Sequence, residues 1–271
     1  MSHIPAERCL DIIELLADGA VAMPLGEIAT RLELAKSGAH RLLATLVDLG
    51  WAEQDAETGF YRLTMRLAIL GQRYFVATGI PDICQPLLDN LARQSREFVR
   101  LAVVDGSSLT WVAHAQGATS GLLYQPTLSS NTVPLHATAT GKVWLATLAT
   151  EQAAENVLRV GFGDADKYGP NVIRSLDALL QELEATKRRG YGLAVNEGEP
   201  GVSAIAAAIR PAGGGEALGV VSVAGPSARM TETRVDEMAP LVMQAAAELA
   251  SFWPLRKRSG QTGATSRMIA A

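Results

Sequence analysis

The pattern that most constrains this chain is a run of three short amphipathic segments and two β-like segments within its first 64 residues. Apolar residues recur at helical spacing in three stretches bounded by Pro, Gly or a short break: 6–18, 24–32 and 36–49. Two β-like runs follow the third stretch, at 51–54 and 60–63. Three helices and a hairpin predict a winged helix-turn-helix.

The third helical segment carries its polar residues on the face opposite its apolar stripe. Hydroxyls, cations and a histidine crowd this face: Lys36, Ser37, His40, Arg41 and Thr45. In a helix-turn-helix the second helix of the pair enters the major groove, where its amino-terminal residues meet base edges and phosphates. These residues, with Arg62 in the second β-like run, are therefore the expected contacts to double-stranded DNA.

The charge of this region leaves a competing interpretation open. Residues 1–75 hold 7 Lys/Arg and 10 Asp/Glu, so the region is not basic. Short helix-turn-helix lookalikes also occur in helical bundles. The β-hairpin that follows the third helix favours the DNA-binding interpretation.

The composition excludes several other classes of protein. Hydrophobic residues make up 48% and charged residues 19% of the chain, which is typical of a globular protein. No run of about 18 apolar residues predicts a membrane span. Glu7 and Arg8 interrupt any secretory leader, so a cytoplasmic protein with no membrane partner is expected. Cys9 and Cys84 have no second Cys or His at ligand spacing, which favours neither a disulfide framework nor a zinc site.

The remaining sequence predicts a linker and a second, mixed domain. We expect a winged-helix domain over 1–64, a linker helix over 65–79, a second domain over 80–254 and a flexible basic tail over 255–271. Strands are expected from apolar runs at 98–105, 109–115, 122–125, from 191, at 202–209 and at 218–224. Helices are expected at 136–148, 151–160, 176–189 and from 231. The two runs beside the glycines at 213–215 are continuously apolar, which predicts a central hairpin.

Enzymatic motifs are incomplete in this sequence. The stretch HATATGKV at 136–143 resembles the end of a phosphate-binding loop, but His136 replaces its leading Gly and Val143 replaces the Ser or Thr after the Lys. His114 and His136 have no paired His or carboxylate at the spacing of a metal site or a general base. We therefore expect no catalytic residue, no metal and no cofactor.

Three stretches together resemble the IclR family of bacterial transcriptional regulators. They are LELAKSGAHRLLATLVDLGW at 32–51, PLHATATGKVWLA at 134–146, and GYGLAVNEGEPGVSAIAAAI at 190–209, which continues to GVVSVAGPSAR at 219–229. The resemblance implies an α+β protein in which a linker helix joins a winged helix-turn-helix to a GAF-like effector domain. It also implies a homodimer or homotetramer that binds a pseudo-palindromic operator and responds to a small-molecule effector.

The resemblance places an effector cavity between the 134–142 junction and the strands of the second domain. Its expected ligand-binding residues are Leu122, Gln125, Thr138, Ala139, Thr140, Ala194, Val202, Ala204, Ser222 and Ala224, with Arg100 as a further candidate. Ala194 and Ala204 stand where the family commonly has Asp and Cys, and Glu197 is retained.

The two alanines shape the expected ligand. Ala194 removes an anion from the wall and Ala204 frees volume, so we expect an organic acid with an apolar or aromatic body, larger than the smallest keto acids. The backbone N–H groups of the helix after His136 are expected to hold its carboxylate. The hydroxyls of Thr140 and Ser222 are expected to assist, with a cation from Arg100 if that side chain faces inward.

Several alternatives stay open at this point. Thr138 and Thr140 would serve only as helix caps if the cavity lay elsewhere. Arg100 would then lie at a strand edge, or with its stem over apolar surface. An enzyme with a catalytic GAF-like domain and a non-essential helix-turn-helix is the alternative function, and a constitutive DNA-binding protein with a vestigial cavity is a third.

Overall fold

The computed structural model describes residues 5–18, 22–121, 123–124, 132–211 and 213–253. The chain divides into two compact units, one ending at Ala77 and the other beginning at Thr78. The expected tail over 255–271 lies outside the described residues. The expected linker helix forms and falls within the first unit.

The first unit contains helices followed by a hairpin and one further helix. Its elements are α1 Pro5–Ala17, α2 Leu25–Arg31, α3 Lys36–Asp48, β1 Ala52–Gln54, β2 Tyr61–Leu63 and α4 Arg66–Ala77. β1 and β2 pair antiparallel, with Ala52 opposite Leu63. The apolar stripes predicted from helical spacing meet in one core, whose members include Ile12, Leu16, Ile28, Leu43 and Leu46. The winged helix-turn-helix prediction is confirmed.

The second unit is a five-stranded sheet with helices. Its elements are α5 Ile80–Ser95, β3 Phe98–Asp105, β4 Ser108–Gln116, α6 Ala139–Leu145, α7 Thr150–Val160, α8 Leu176–Arg189, β5 Gly192–Val195, β6 Val202–Ile209, β7 Gly219–Pro226 and α9 Glu232–Ser251. The strand order is β4-β3-β7-β6-β5, and every neighbouring pair is antiparallel. The unit is therefore α+β, as predicted.

The predicted central hairpin takes the middle of this sheet. β7 lies between β3 and β6, and its Val220, Val221 and Val223 are fully buried. Helices cover both faces, because α9 packs with α5 on one side and α6 packs with α8 on the other. A strand buried on both faces needs apolar side chains in both directions, which explains why the run is continuously apolar rather than alternating.

Two predicted elements differ from the structure. The helix expected over 136–148 is shortened to α6, because Thr138 takes an extended conformation and caps the helix. Beyond Leu145 the backbone closes i to i+3 turns instead of continuing the helix. In the strand expected over 122–125, Leu123 and Tyr124 belong to no strand, and the two outer residues lie outside the described part of the chain.

Candidate functional site

The outward face of α3 is the first candidate site. Ala39, Leu43 and Leu46 are buried against the unit's core, which turns the opposite face of the helix to solvent. Five of the sequence-predicted DNA-binding residues are exposed on that face: Lys36, Ser37, His40, Arg41 and Thr45. The structure therefore brings them together on one polar surface.

The turn before α3 and the wing after it set the limits of this surface. Glu33 adopts a positive φ of 51° in the break between α2 and α3, which lets α3 start immediately at Lys36. Arg62, the sixth predicted residue, lies on β2, and its Nε donates to Glu53 Oε1 on β1 at 2.6 Å. Both side chains are more than half exposed. Arg62 is thus already paired within the wing, whereas Lys36 and Arg41 of α3 form no ion pair with any described residue.

The second candidate site is a cavity of about 120 Å³ in the second unit. It lies between the sheet and the start of α6. The lining residues are Arg100, Trp111, Tyr124, Pro134, Ala137, Thr138, Ala139, Thr140, Ala194, Gly198, Glu199, Val202, Ala204, Ser222 and Ala224. A more open depression of about 480 Å³ lies among α6, α8 and α9, but its one guanidinium, on Arg210, already donates to the carbonyl of Thr147.

Nine of the sequence-predicted ligand residues line this cavity together. They are Arg100, Thr138, Ala139, Thr140, Ala194, Val202, Ala204, Ser222 and Ala224. Leu122 and Gln125 lie outside the described residues. The sequence interpretation missed Trp111, Tyr124 and Glu199, which supply the aromatic and acidic part of the wall. A single aromatic residue signals packing as often as binding, and a single carboxylate is usually solvated, so no sequence pattern selected these three.

The floor of the cavity is set by strand register. Arg100 on β3 pairs with Ser222 on β7. The neighbouring row aligns Ala224 on β7, Ala204 on β6 and Ala194 on β5. Side chains directly opposite each other in a sheet point to the same face. The floor therefore has a polar edge at Arg100 and Ser222, beside a patch of methyl groups.

Arg100 is held by aromatic rings rather than by an ion pair. Its guanidinium carbon lies 4.7 Å from the centre of the Trp111 ring and 5.3 Å from that of Phe98. An irregularity at Leu101 and Ala102 shifts the register, so that Trp111 sits opposite Ala102 and shares the face of Arg100. Burial lowers the pKa of Arg100, an effect that nearby Tyr124 and Glu199 oppose. Arg100 thus lines the cavity, where it was named as a further ligand candidate, and its guanidinium lies over the two rings.

Tyr124 and Glu199 form the acidic wall. The Tyr124 hydroxyl donates to Glu199 Oε1 at 2.9 Å, and the Tyr124 ring meets Phe98 edge to face with ring centres 5.8 Å apart. Burial and the neighbouring Glu199 carboxylate raise the pKa of Tyr124, so its hydroxyl is a donor at neutral pH.

The start of α6 closes the opposite side of the cavity. Thr138 Oγ1 accepts from the N–H of Gly141 at 2.9 Å and donates to the carbonyl of Pro134 at 2.8 Å. A side chain at Gly141 would approach the Leu135 carbonyl oxygen within 2.3 Å, so this junction depends on glycine. The cap interpretation of Thr138 is therefore correct, while Thr140 lines the cavity and is 2% exposed.

A buried ion pair lies behind the cavity wall. The Nζ atom of Lys142, 1% exposed, lies 2.8 Å from both carboxylate oxygens of Glu197 and 3.6 Å from Glu182 Oε1. The N–H of Val195 also donates to Glu197. Burial raises the pKa of Glu197, and the Lys142 charge opposes that rise. The pair ties α6 to the β5–β6 turn, whose Gly198 and Glu199 line the cavity.

Sequence reasoning treated Lys142 only as part of an incomplete phosphate loop. A lysine inside an otherwise apolar helix was the signal that it has a buried partner. Nothing in the sequence identified Glu197, 55 positions away, as that partner.

His136 lies beside the cavity junction without lining it. Its ring meets Phe162 and Tyr168 edge to face, with ring centres 5.0 Å apart in each case. Within the described residues its Nε2 atom is buried and makes no hydrogen bond. Burial lowers its pKa.

Within the described part of the chain, no three His, Cys, Asp or Glu side chains are grouped so that they could hold a metal ion. No described helix is both long and apolar enough to cross a membrane.

Sequence comparisons extend over both units. The sequence model of the IclR helix-turn-helix domain matches residues 5–56, and that of the bacterial transcriptional regulator IclR C-terminal domain matches residues 72–251. HTH-type transcriptional regulator BhcR of Paracoccus denitrificans is 31% identical, across 94% of this chain and 89% of that protein. Transcriptional repressor IclR of Escherichia coli is 29% identical, across 89% of this chain and 87% of that protein.

Solved structures share the fold. An IclR transcriptional regulator from Alicyclobacillus acidocaldarius aligns with a TM-score of 0.75 at 20% identity, covering 93% of this chain and 99% of that one. An IclR homolog from Microbacterium hydrocarbonoxydans, complexed with 4-hydroxybenzoate, aligns with a TM-score of 0.71 at 25% identity, covering 94% and 100%.

Proposed function

The chain belongs to the IclR family of transcriptional regulators, and from that premise we propose how its two units act: the α3 face binds an operator and the cavity binds an organic acid that changes operator affinity. The protein is a DNA-binding regulator with a ligand-binding carboxyl-terminal domain, and its named relatives are regulators rather than enzymes. The observation that carries the proposal is the presence, in one chain, of an exposed recognition helix with cations at its start and a cavity whose cation forms no ion pair with the described residues.

The proposed DNA contacts are Lys36, Ser37, His40, Arg41 and Thr45 on α3, with Arg62 on the wing. Exposure and position at the start of the recognition helix support this assignment. Thr45 Oγ1 donates to the carbonyl of Arg41 at 3.0 Å, so Thr45 offers DNA an acceptor rather than its proton. The operator of a bacterial regulator lies on the chromosome, which is in the cytoplasm. We therefore propose that the protein is cytoplasmic.

We propose that the protein binds DNA as a homodimer, or as a homotetramer built from dimers. The support is α4, which has no buried residue among its twelve. Four of its large apolar side chains, and Met65 just before it, are 47 to 70% exposed: Met65, Ile69, Leu70, Tyr74 and Val76. Such a face is unfavourable in water unless a second copy covers it. A dimer of helix-turn-helix units reads two half-sites, so the operator should be pseudo-palindromic.

The proposed effector is an organic acid with an apolar or aromatic body. The described lining offers one cation, one carboxylate that already accepts from Tyr124, a few hydroxyls and otherwise mostly small apolar residues and rings. This suits an apolar body with a single anionic group that pairs with the cation. The 4-hydroxybenzoate bound by the structural neighbour from Microbacterium supports this class of ligand.

Footprinting and binding titrations test the proposed function together. Genomic DNA fragments selected on the purified protein should contain a pseudo-palindrome, and an aromatic or branched carboxylate at millimolar concentration should change the affinity for that fragment. A selected DNA site that responds to no carboxylate would contradict the effector class while leaving the DNA role intact. Failure to select any sequence would contradict the DNA role itself.

A further inference from the structure

The cavity holds a guanidinium that lacks an anionic partner. Within the described residues, Arg100 makes no hydrogen bond and no ion pair, and its contacts are the faces of Trp111 and Phe98. The carboxylate in the described lining, Glu199, attracts Arg100 electrostatically without forming an ion pair with it, and it accepts from the Tyr124 hydroxyl. A cation withdrawn from water without a partner is unfavourable, so an anion that enters the cavity gains by pairing with it.

Ser222 supplies a second polar group at the same place. It lies directly across from Arg100 in the β3–β7 register and is 4% exposed. Residues opposite one another in antiparallel strands have Cβ atoms about 4.5–5.5 Å apart. One carboxylate can therefore accept from both the Arg100 guanidinium and the Ser222 hydroxyl.

The other expected anion site, at the start of α6, offers dipoles rather than a full charge. α6 begins at Ala139 and is only seven residues long. The N–H of Gly141 in its first turn already donates to Thr138 Oγ1. Arg100 brings a full positive charge to the floor, so we take the Arg100 edge as the place of the carboxylate.

The rest of the floor selects the body of the ligand. Next to Arg100 and Ser222 lie the methyl groups of Ala194, Ala204 and Ala224. An apolar cavity of about 150 Å³ accommodates benzene. The roughly 120 Å³ here is somewhat smaller, so the apolar body can be no larger than a single ring or a branched chain. Glu199 at the wall would repel a second carboxylate on the ligand.

We propose, building on the proposed function, that Arg100 with Ser222 binds the carboxylate of the effector and that the effector is a monocarboxylate whose ring or branched chain lies over the three alanines. Trp111 and Phe98 hold the guanidinium in place. Specificity then has two parts, a requirement for one negative charge and a limit on the size of the apolar body.

The test compares acids with their neutral amides on the full-length protein. Benzoate and benzamide, and 3-methylbutanoate and its amide, have matched bodies and differ in charge. Calorimetry should show an acid binding about tenfold or more tightly than its amide, because a hydrogen bond to a charged group is among the stronger ones. Terephthalate, with a second carboxylate, should bind more weakly than benzoate.

Variants separate recognition from folding. Arg100→Met keeps an unbranched stem over the rings and removes the charge, so the acid should lose its advantage over the amide while amide binding persists. Arg100→Lys should restore part of the advantage, and Ser222→Ala should reduce it less than Arg100→Met does. Arg93→Met, on an exposed arginine of α5, is the matched control and should leave the acid-to-amide ratio unchanged.

The outcomes distinguish this inference from the function on which it rests. If no acid binds wild-type protein at millimolar concentration, both the effector class and the inference fail. If acids bind but the acid-to-amide ratio survives in Arg100→Met, only the assignment of Arg100 fails. If Arg100→Met does not fold, an unchanged ratio in both Arg100→Lys and Ser222→Ala overturns the assignment. Terephthalate binding as tightly as benzoate would overturn the restriction to one carboxylate.

Discussion

The α3 face and the cavity region both carry cations, but they differ in how far those cations are exposed to water. Lys36 and Arg41 are exposed on α3, where salt and solvent screen each charge. Arg100 lies between rings in the cavity, and Lys142 is fully enclosed behind it. An exposed cation suits a polyanion that offers many phosphates, whereas an enclosed cation requires one well-placed partner. Under the proposed function, the same residue types would bind DNA in one unit and a single carboxylate in the other.

The largest effect is expected where the charge is most enclosed. Lys142→Ala leaves Glu197 buried without its partner and should lower the free energy of unfolding by about 3–5 kcal/mol. Urea denaturation of the full chain, followed by circular dichroism, measures it. Lys187→Ala removes a partly exposed pair with Glu184 on α8 and is the control, with an expected loss below about 1 kcal/mol. Equal losses in the two variants would show that burial of the lysine does not determine how much stability its removal costs.

A smaller effect is expected on the exposed face. Arg41→Ala should weaken operator binding by about 1–3 kcal/mol if Arg41 reads a base, with unfolding stability unchanged. Lys36→Ala should instead reduce the slope of the logarithm of the binding constant against the logarithm of salt concentration by about one, the contribution of one phosphate contact. Gel-shift titrations at several salt concentrations measure both quantities. Wild-type affinity and salt slope in both variants would remove α3 from the DNA interface.

The α3 face and the cavity also differ in how much of each can be predicted from the sequence. The α3 face was predictable because helical periodicity alone decides which side of α3 is buried, and Ala39, Leu43 and Leu46 follow it. Most of the cavity was predicted from family resemblance, since strand register brings Arg100 beside Ser222 across 122 positions of sequence. The Lys142–Glu197 pair and the Tyr124–Glu199 contact depend on how loops fold back, which no local pattern encodes. The start of α6, expected at His136, was missed because the Thr138 side chain competes locally with helix formation and caps the helix instead.

Acid should weaken the enclosed region through His136. Its folded-state pKa lies below the ordinary value of 6.5, so the unfolded chain takes up the proton first as the pH falls. The contribution of neutral His136 to the free energy of unfolding is therefore fully present above pH 6.5. It is lost below that pH, by at most about 1.4 kcal/mol per pH unit. Denaturation curves between pH 7.5 and about 5.5 should show this loss, and His136→Phe should flatten it. A slope that is the same in His136→Phe would assign the loss to other groups.

The smallest effect is expected at the wing. Arg62 is paired with Glu53 in solvent, so Arg62→Ala should change unfolding stability by less than about 1 kcal/mol. Its loss of operator affinity should also be smaller than that of Arg41→Ala, because DNA must compete with Glu53 for the guanidinium. Glu53→Gln frees Arg62 and should strengthen DNA binding slightly. A larger loss for Arg62→Ala than for Arg41→Ala would make the wing, rather than α3, the principal contact.

The most direct test of the link between the two regions is reciprocal binding. The carboxylate that binds most tightly should change operator affinity by some factor, and operator DNA should change carboxylate affinity by the same factor, because coupling free energies are symmetric. We expect this shared factor in wild-type protein and its loss in Arg100→Met, whose operator affinity without ligand should equal that of wild type. A carboxylate that binds the cavity while operator affinity stays constant would contradict the proposal that the cavity regulates DNA binding.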